Sequence, residues 1–399
     1  MNAQSILNNL ISFVSLKMHK KRQNAVIACV QSLLKGSSTS VTSMGRGIAN
    51  SAYEKHRIKR ADRLLSNDNL HYEAPFIYAS ICKIFCTSAQ PVIAVDGSDL
   101  DAYQRHFLLR AALTVKGRAI TLYQEVHTKQ TKEKPATHKA FLDNLYRMIP
   151  KHSKPIIVTD AGYKSPWFRQ VRALGWDIVG RIRKPHFYSL NEGNTWQSIA
   201  HLYAQATHRP KLFEHAHISR HQPFQCTLTL IKHKEKGRHA FNTNGRRKCS
   251  GHSLSHAKSA KDPWLLATSL PAHRNLAKQV VSIYRQRMQI EESFRDMKSR
   301  QFGLGLEHNR SFKCKRLAIL ILLSTLASLV AFLMGMAVNV ANIHRRFQAN
   351  TSSFQVLSFH TLGLRALATG VKITRRQWSQ TLIWLEKLIK EACHAEAWH

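Results

Sequence analysis

Early in its final third the chain reads Tyr284-Arg-Gln-Arg-Met-Gln-Ile-Glu-Glu-Ser-Phe-Arg-Asp-Met-Lys298. On a helix turning about 100° per residue, Tyr284, Arg287, Glu291 and Lys298 share one narrow stripe, a carboxylate among cations. Ile283, Ile290, Phe294 and Met297 form a neighbouring apolar stripe. The helix can therefore dock on a core and leave the polar row at the edge of the contact, facing a cleft. A lone carboxylate so placed suits a metal ion or phosphate chemistry. An ordinary amphipathic helix with an i,i+4 pair of Arg287 and Glu291 has the same pattern.

Two further acids follow apolar runs: Asp96 closes Val92-Ile-Ala-Val-Asp96, and Asp160 follows Pro155-Ile-Ile-Val-Thr159. Active sites of open α/β sheets gather at the carboxyl ends of parallel strands. If the two strands are neighbours, these acids face each other. Turn or cap roles are the alternative, because Gly97 follows one and Ala161-Gly162 the other. Brought close, Asp96, Asp160 and Glu291 would repel one another, and divalent metal resolves the repulsion. Two Mg²⁺ ions about 3.5–4 Å apart would activate a water or a 3′-hydroxyl and stabilise the leaving oxygen of a phosphodiester displacement. Hard oxygen ligands suit Mg²⁺, with Mn²⁺ able to substitute.

The elements that would carry these residues alternate. Residues 1–88 read as a helical, basic domain. Ser40 to Ile48 has the look of a short helix, a Gly turn and a second helix, and His56 to Leu65 alternates cations with apolar anchors, a pattern that suits a helix in a DNA groove or a solvated surface. Strands are expected over Val92–Asp96, Phe107–Val115 and Ala119–Val126, then a helix over Ala136–Met148, a buried strand before Asp160, a helix near Pro166–Leu174 and a strand over Trp176–Arg181. Residues 184–262 read as a basic, β-rich insertion, with a strand at Gln225–Ile231 and a basic loop over His239–Ser259 that could order on phosphate. Trp264-Leu-Leu-Ala-Thr-Ser269 returns to the core within 263–345, and 346–399 reads as a helical C-terminal region.

Composition narrows the partners. With 60 Lys+Arg against 23 Asp+Glu among 399 residues, the net charge of +37 calls for a polyanion. Nucleic acid is the natural candidate and an anionic membrane the competitor. Seven scattered cysteines and no secretory pattern at the Met1 end predict a reducing cytosol. Cys82 and Cys86 read as buried small side chains, and Cys226, Cys249, His252 and His256 as a weak zinc pattern most simply explained by chance among 23 histidines. Leu317 to Val338 has no charged residue and is long enough to span a bilayer. Its basic flanks give no asymmetry, so a helix buried in a large domain is the expectation.

Four blocks together resemble the DDE transposases of bacterial insertion sequences, in particular the insertion-sequence-four family. Tyr284, Arg287, Glu291 and Lys298 match that family's Tyr-x2-Arg-x3-Glu-x6-Lys signature, Ile-Val-Thr-Asp160-Ala-Gly-Tyr the block around its second catalytic Asp, and Val-Asp96-Gly-Ser that around the first. The resemblance implies an α/β, RNase H-like mixed-sheet core split into 89–183 and 263–345 by the insertion, a helical DNA-binding domain over 1–88, and a helical region at the C-terminal end. It implies Asp96, Asp160 and Glu291 as metal ligands, and Tyr284, Arg287 and Lys298 as phosphate holders. Trp264 would be the residue stacking a flipped base, or else a core Trp on a strand. Water nicking, hairpin formation, hairpin reopening and strand transfer would share one metal site, with the terminal repeats and target as DNA partners and a homodimer in the synaptic complex. Glu292, Asp99 and Asp101 are expected bystanders. An inactivated DNA-binding repressor, a membrane-anchored basic protein and a tyrosine recombinase are the rival readings, the last lacking an Arg/His-x-x-Arg set.

Overall fold

The computed structural model describes residues 8–9, 11–12, 18–101, 103–115, 117–233, 251, 261–299, 301, 303–349, 351 and 354–392. The described residues form two compact units. One comprises the chain up to Pro155 and from Gln286 onward, the other Ile156–Arg285.

From Lys20 the first unit forms α1 (Lys20–Leu34), α2 (Val41–Gly47), α3 (Glu54–Leu65) and α4 (Asp68–Phe85). Ser40 caps α2 by accepting from the Ser43 amide, and Asn67 caps α4 by accepting from the Leu70 amide. Gly45, expected in a turn, lies inside α2. A Cβ there would stand 2.4 Å from the Ile58 Cα, so the missing side chain is what lets α2 and α3 cross closely.

A meander follows: β1 (Val92–Asp99), β2 (His106–Val115) and β3 (Arg118–Thr128), paired antiparallel in the order β3-β2-β1. β1 runs three residues beyond its expected end because the ladder continues through Asp99↔Phe107. Asp96 therefore sits within the strand. Successive side chains alternate between faces: Tyr123 stacks on Phe141 of α5 (Pro135–Met148), whereas Gln124 hydrogen-bonds Thr325 and Tyr78.

After α9 (Met288–Lys298) come α10 (Cys314–Val340), α11 (Phe359–Ala368) and α12 (Arg375–Ala392). The apolar segment lies in α10, and 89% of its most apolar stretch is buried inside the unit, against α1, α11, α12 and β3. It is a core helix. Gly335 and Gly363 let α10 and α11 approach at backbone contact, since a Cβ on either would fall within 2 Å of a carbonyl oxygen.

The second unit is a mixed sheet in the order β4-β5-β10-β9-β8-β6-β7. Its strands are β4 (Ile156–Thr159), β5 (Asp177–Ile182), β6 (Phe187–Ser189), β7 (Gln197–Ser198), β8 (Lys211–Ile218), β9 (Phe224–Ile231) and β10 (Trp264–Thr268). Only β4 and β5 are parallel, linked through α6 (Ser165–Ala173); α7 (Ala200–Tyr203) precedes β8. The strands between residues 184 and 262 thus extend the sheet that carries β4. Helix α8 (Leu276–Gln286) ends this unit. The architecture is α/β, of the RNase H-like kind.

Candidate active site

The Tyr284–Lys298 helix is not continuous. It is interrupted at Arg287, between α8 and α9, although no Gly or Pro marks the break. Arg287 keeps a near-helical φ of −52° and ψ of −34°. Its guanidinium is the hub of the first unit's polar cluster: Nη1 donates to Asp96 Oδ2 at 2.8 Å and Nη2 to Glu291 Oε1 at 2.6 Å. The second bond is the expected i,i+4 pair. The first joins residues 191 apart in sequence and brings two of the three predicted ligands onto one cation. The other Asp96 oxygen accepts from the Gly97 amide at 2.8 Å.

Lys298 lies at the far end of α9 and donates to Ser98 Oγ at 2.7 Å, so it faces β1. Burial pushes its ammonium below the ordinary value, Asp99 opposing and Arg110 adding to the shift.

Arg110 escaped the sequence reading. It stands opposite Asp96 in the β1–β2 ladder, so the two side chains share a face. Its guanidinium is 3% exposed and donates to Gln124 Oε1 (2.9 Å), Ser293 Oγ (2.9 Å) and Met297 Sδ (3.2 Å), and it lies 4.8 Å from the Phe294 ring centroid. Burial pushes its pKa down to about 10, which leaves it charged at neutral pH. It fastens α9 to β2 and so fixes the height of Glu291 over β1. The available signal was one cation inside the apolar run Phe107-Leu-Leu-Arg-Ala-Ala-Leu113.

The bystanders have structural roles. Glu292 is 44% exposed, 3.7 Å from Arg295 and 4.0 Å from Arg118. Asp101 accepts from the amides of Tyr103, Arg105 and His106 and organises the β1–β2 loop. Asp99 accepts from Gln104.

In the second unit Asp160 follows β4 and its Oδ1 accepts from the Gly162 amide at 2.8 Å, a local Asx-type turn that orients the carboxylate. Tyr284 was expected on a cleft-facing row, yet it is 4% exposed. Its ring meets Trp264 edge-on at 4.8 Å, and its hydroxyl contacts the buried Arg181. Trp264, at the start of β10, also meets the His233 ring at 4.0 Å and is half-buried. Burial lowers the Arg181 pKa, with Tyr284 opposing.

Among the described residues no group of three or more His, Cys, Asp or Glu is clustered for a metal. Cys226 is buried in β9, its thiol pushed up to about 12, while Cys249, His252, His256 and the loop over 239–250 and 252–259 lie outside the described residues. Cys82 and Cys86 are buried.

The family model described as the transposase DDE domain matches residues 87–330, well over half of the chain. The chain belongs to that family. No curated protein matched. The match begins before β1, includes Asp96, Asp160 and Glu291, and ends inside α10, so the first part of the core helix lies within it. This transposase accordingly acts on DNA, by phosphodiester cleavage and transesterification, and enzymes of its family use divalent metal ions.

Proposed function

We propose that the chain is a cut-and-paste transposase of the insertion-sequence-four family, resembling the transposase of insertion sequence ten, with Asp96, Asp160 and Glu291 as its catalytic carboxylates. The observation that carries this reading is the Arg287 guanidinium holding Asp96 and Glu291 together. Asp96 and Glu291, which share one cation here, are hard oxygen donors of the kind that suits Mg²⁺, or Mn²⁺ in its place, and Asp160 would be the third ligand. When bound, the ions supply Lewis-acid activation of water and of the 3′-hydroxyl.

The chain's own residues position the DNA. Arg287 offers a planar fork for a phosphate once the carboxylates are neutralised by other cations, and Lys298 a point charge on the β1 side. Trp264 supplies an aromatic face for an extruded base, steadied by the buried Tyr284 ring that meets it edge-on. Water first nicks one strand, the freed 3′-hydroxyl then attacks the opposite strand to form a hairpin, and reopening precedes joining to the target. Residues 1–88 would grip the terminal repeats, 184–262 would track the backbone, and 346–399 would join two protomers in the paired-end complex. The reaction would take place on cytoplasmic DNA.

The test is cleavage of DNA bearing the element's ends, with and without Mg²⁺, by wild type and by Asp96→Ala, Asp160→Ala and Glu291→Ala. Each substitution should abolish nicking and leave DNA binding in place. Glu292→Ala, on an exposed side chain, should cut at the wild-type rate. Undiminished cutting by any of the three variants, or cutting in EDTA, would remove the assignment; no cutting by wild type with retained binding would identify a repressor.

A further inference from the structure

The tip of the β1–β2 loop displays an aromatic pair that no core covers. Tyr103 is 79% exposed and Phe312, in the segment before α10, is 55% exposed. The Arg105 guanidinium lies 5.0 Å from the first ring centroid and 4.6 Å from the second, joining the two into one surface. The loop under Tyr103 is built firmly: the Asp101 carboxylate accepts from the amides of Tyr103, Arg105 and His106, and the Leu100 amide donates to the His106 carbonyl at 2.9 Å. Gln104 holds a φ of +53°, a left-handed conformation that an unconstrained loop would avoid.

Phe312 also forms a wall of an open surface pocket of roughly 500 Å³, lined by Asp62, His308, Arg310, Lys313 and Arg316. Asp62 is taken up by Arg316 at 2.8 Å and Lys59 at 3.2 Å, whereas Arg310 and Lys313 make no ion pair among the described residues. Flat π faces beside uncompensated cations have the chemistry of a nucleotide's complement, base against ring and phosphate against ammonium or guanidinium. The place fits as well. The loop that carries Tyr103 and Arg105 leaves β1 at Asp99, three residues or about 10 Å along the strand from Asp96.

We infer that Tyr103, Arg105 and Phe312 form a stacking platform for an unpaired nucleobase of the bound DNA, a few nucleotides from the reacting phosphate, with Arg310 and Lys313 engaging the adjoining phosphates. The inference rests on the transposase reading above, because it takes the occupant to be DNA. The platform recognises unstacked bases and leaves paired ones alone, since a duplex offers no free π face.

The test uses the full chain in EDTA with a 12-nucleotide single strand carrying one 5-iododeoxyuridine, and with the same strand in a duplex. Irradiation followed by peptide mapping should give adducts on Tyr103 or Phe312 with the single strand and few with the duplex. Tyr103→Ala or Phe312→Ala should weaken single-strand binding on the order of tenfold and duplex binding less than twofold, Tyr103→Phe should bind as wild type, and Arg310→Ala should weaken both forms together. Because both aromatic side chains are exposed, the variants should melt with wild type. Adducts only elsewhere, or alanine variants that bind single strands normally, would overturn the platform and leave the patch to a protein partner. Duplex binding and end cleavage are unaffected by that outcome; a chain that binds neither form loses both the platform and the transposase reading.

Discussion

Arg287→Gln isolates the contact on which the candidate site turns. The guanidinium is 10% exposed, Asp96 15% and Glu291 41%. The Glu291 pair is solvent-screened and contributes about 0.5 kcal/mol. The Asp96 pair is nearly dry; breaking a fully buried pair from one side costs about 3–5 kcal/mol, which residual solvent access reduces to about 2–3. Together the loss is about 3 kcal/mol, and at about 2 °C per kcal/mol for a unit of this size the melting temperature in EDTA should fall by about 6 °C. Mg²⁺ should then restore stability, by about 2.7 kcal/mol at a hundredfold excess over its Kd. In wild type the guanidinium competes for the same oxygens, so the Mg²⁺ shift should be smaller, and Arg287→Lys, a charge without the fork, should fall between. Scanning fluorimetry against a Mg²⁺ titration reads all three. If Arg287→Gln melts within 1 °C (about 0.5 kcal/mol) of wild type in EDTA, or if Mg²⁺ shifts both proteins equally, the guanidinium is not the counter-ion of this pair.

Arg110→Met removes a buried cation with no carboxylate in ion-pair distance among the described residues, so urea denaturation should change by less than about 2 kcal/mol, while loosening of α9 lowers end cleavage about tenfold or more at unchanged DNA affinity; wild-type cleavage would deny Arg110 its positioning role. Gly335→Ala and Gly363→Ala place a methyl 1.8 Å from the Phe359 oxygen and 1.7 Å from the Ala331 oxygen. Each should cost roughly 1–3 kcal/mol or more, and a melt equal to wild type would mean that α10 and α11 do not touch there. His360 on α11 is 3% exposed, and burial lowers its pKa, Asp296 opposing and Arg118 adding. A depressed His pKa leaves the folded ring neutral while the unfolded ring protonates, so stability is full above about pH 6.5 and falls as pH drops below it. His360→Leu should flatten that loss between pH 7.5 and 5.5 in denaturant titrations, and an unchanged slope would place the pH dependence elsewhere.

The local pattern made much of the fold legible. Short apolar runs bounded by turn residues located β1 through β5 and β10, and alternation located β9, because both patterns are set by short-range geometry. The short strands β6 and β7 and the polar β8, which reads Lys-Leu-Phe-Glu-His-Ala-His-Ile, carried no such signal and are held by pairing with their neighbours. Spacing alone singled out Glu291 over Glu292, and in the structure it is Glu291 that reaches Arg287. The helix wheel placed Tyr284 on a cleft-facing row, whereas its ring is buried against Trp264, a contact between residues 20 apart that no local spacing announces.

By itself the sequence determined that the chain is basic, of α/β pattern, and carries blocks around Asp96, Asp160 and Glu291 that resemble those of DDE transposases, because charge, periodicity and motif are properties of residues near one another. Only the tertiary structure decided what Arg287 does, which strand Arg110 ties to α9, and where the apolar α10 goes. Composition permits that helix in a bilayer or in a core. Its burial against α1, α11, α12 and β3 makes it core, and a contact spanning 191 residues exists only once the strand and the helix have packed.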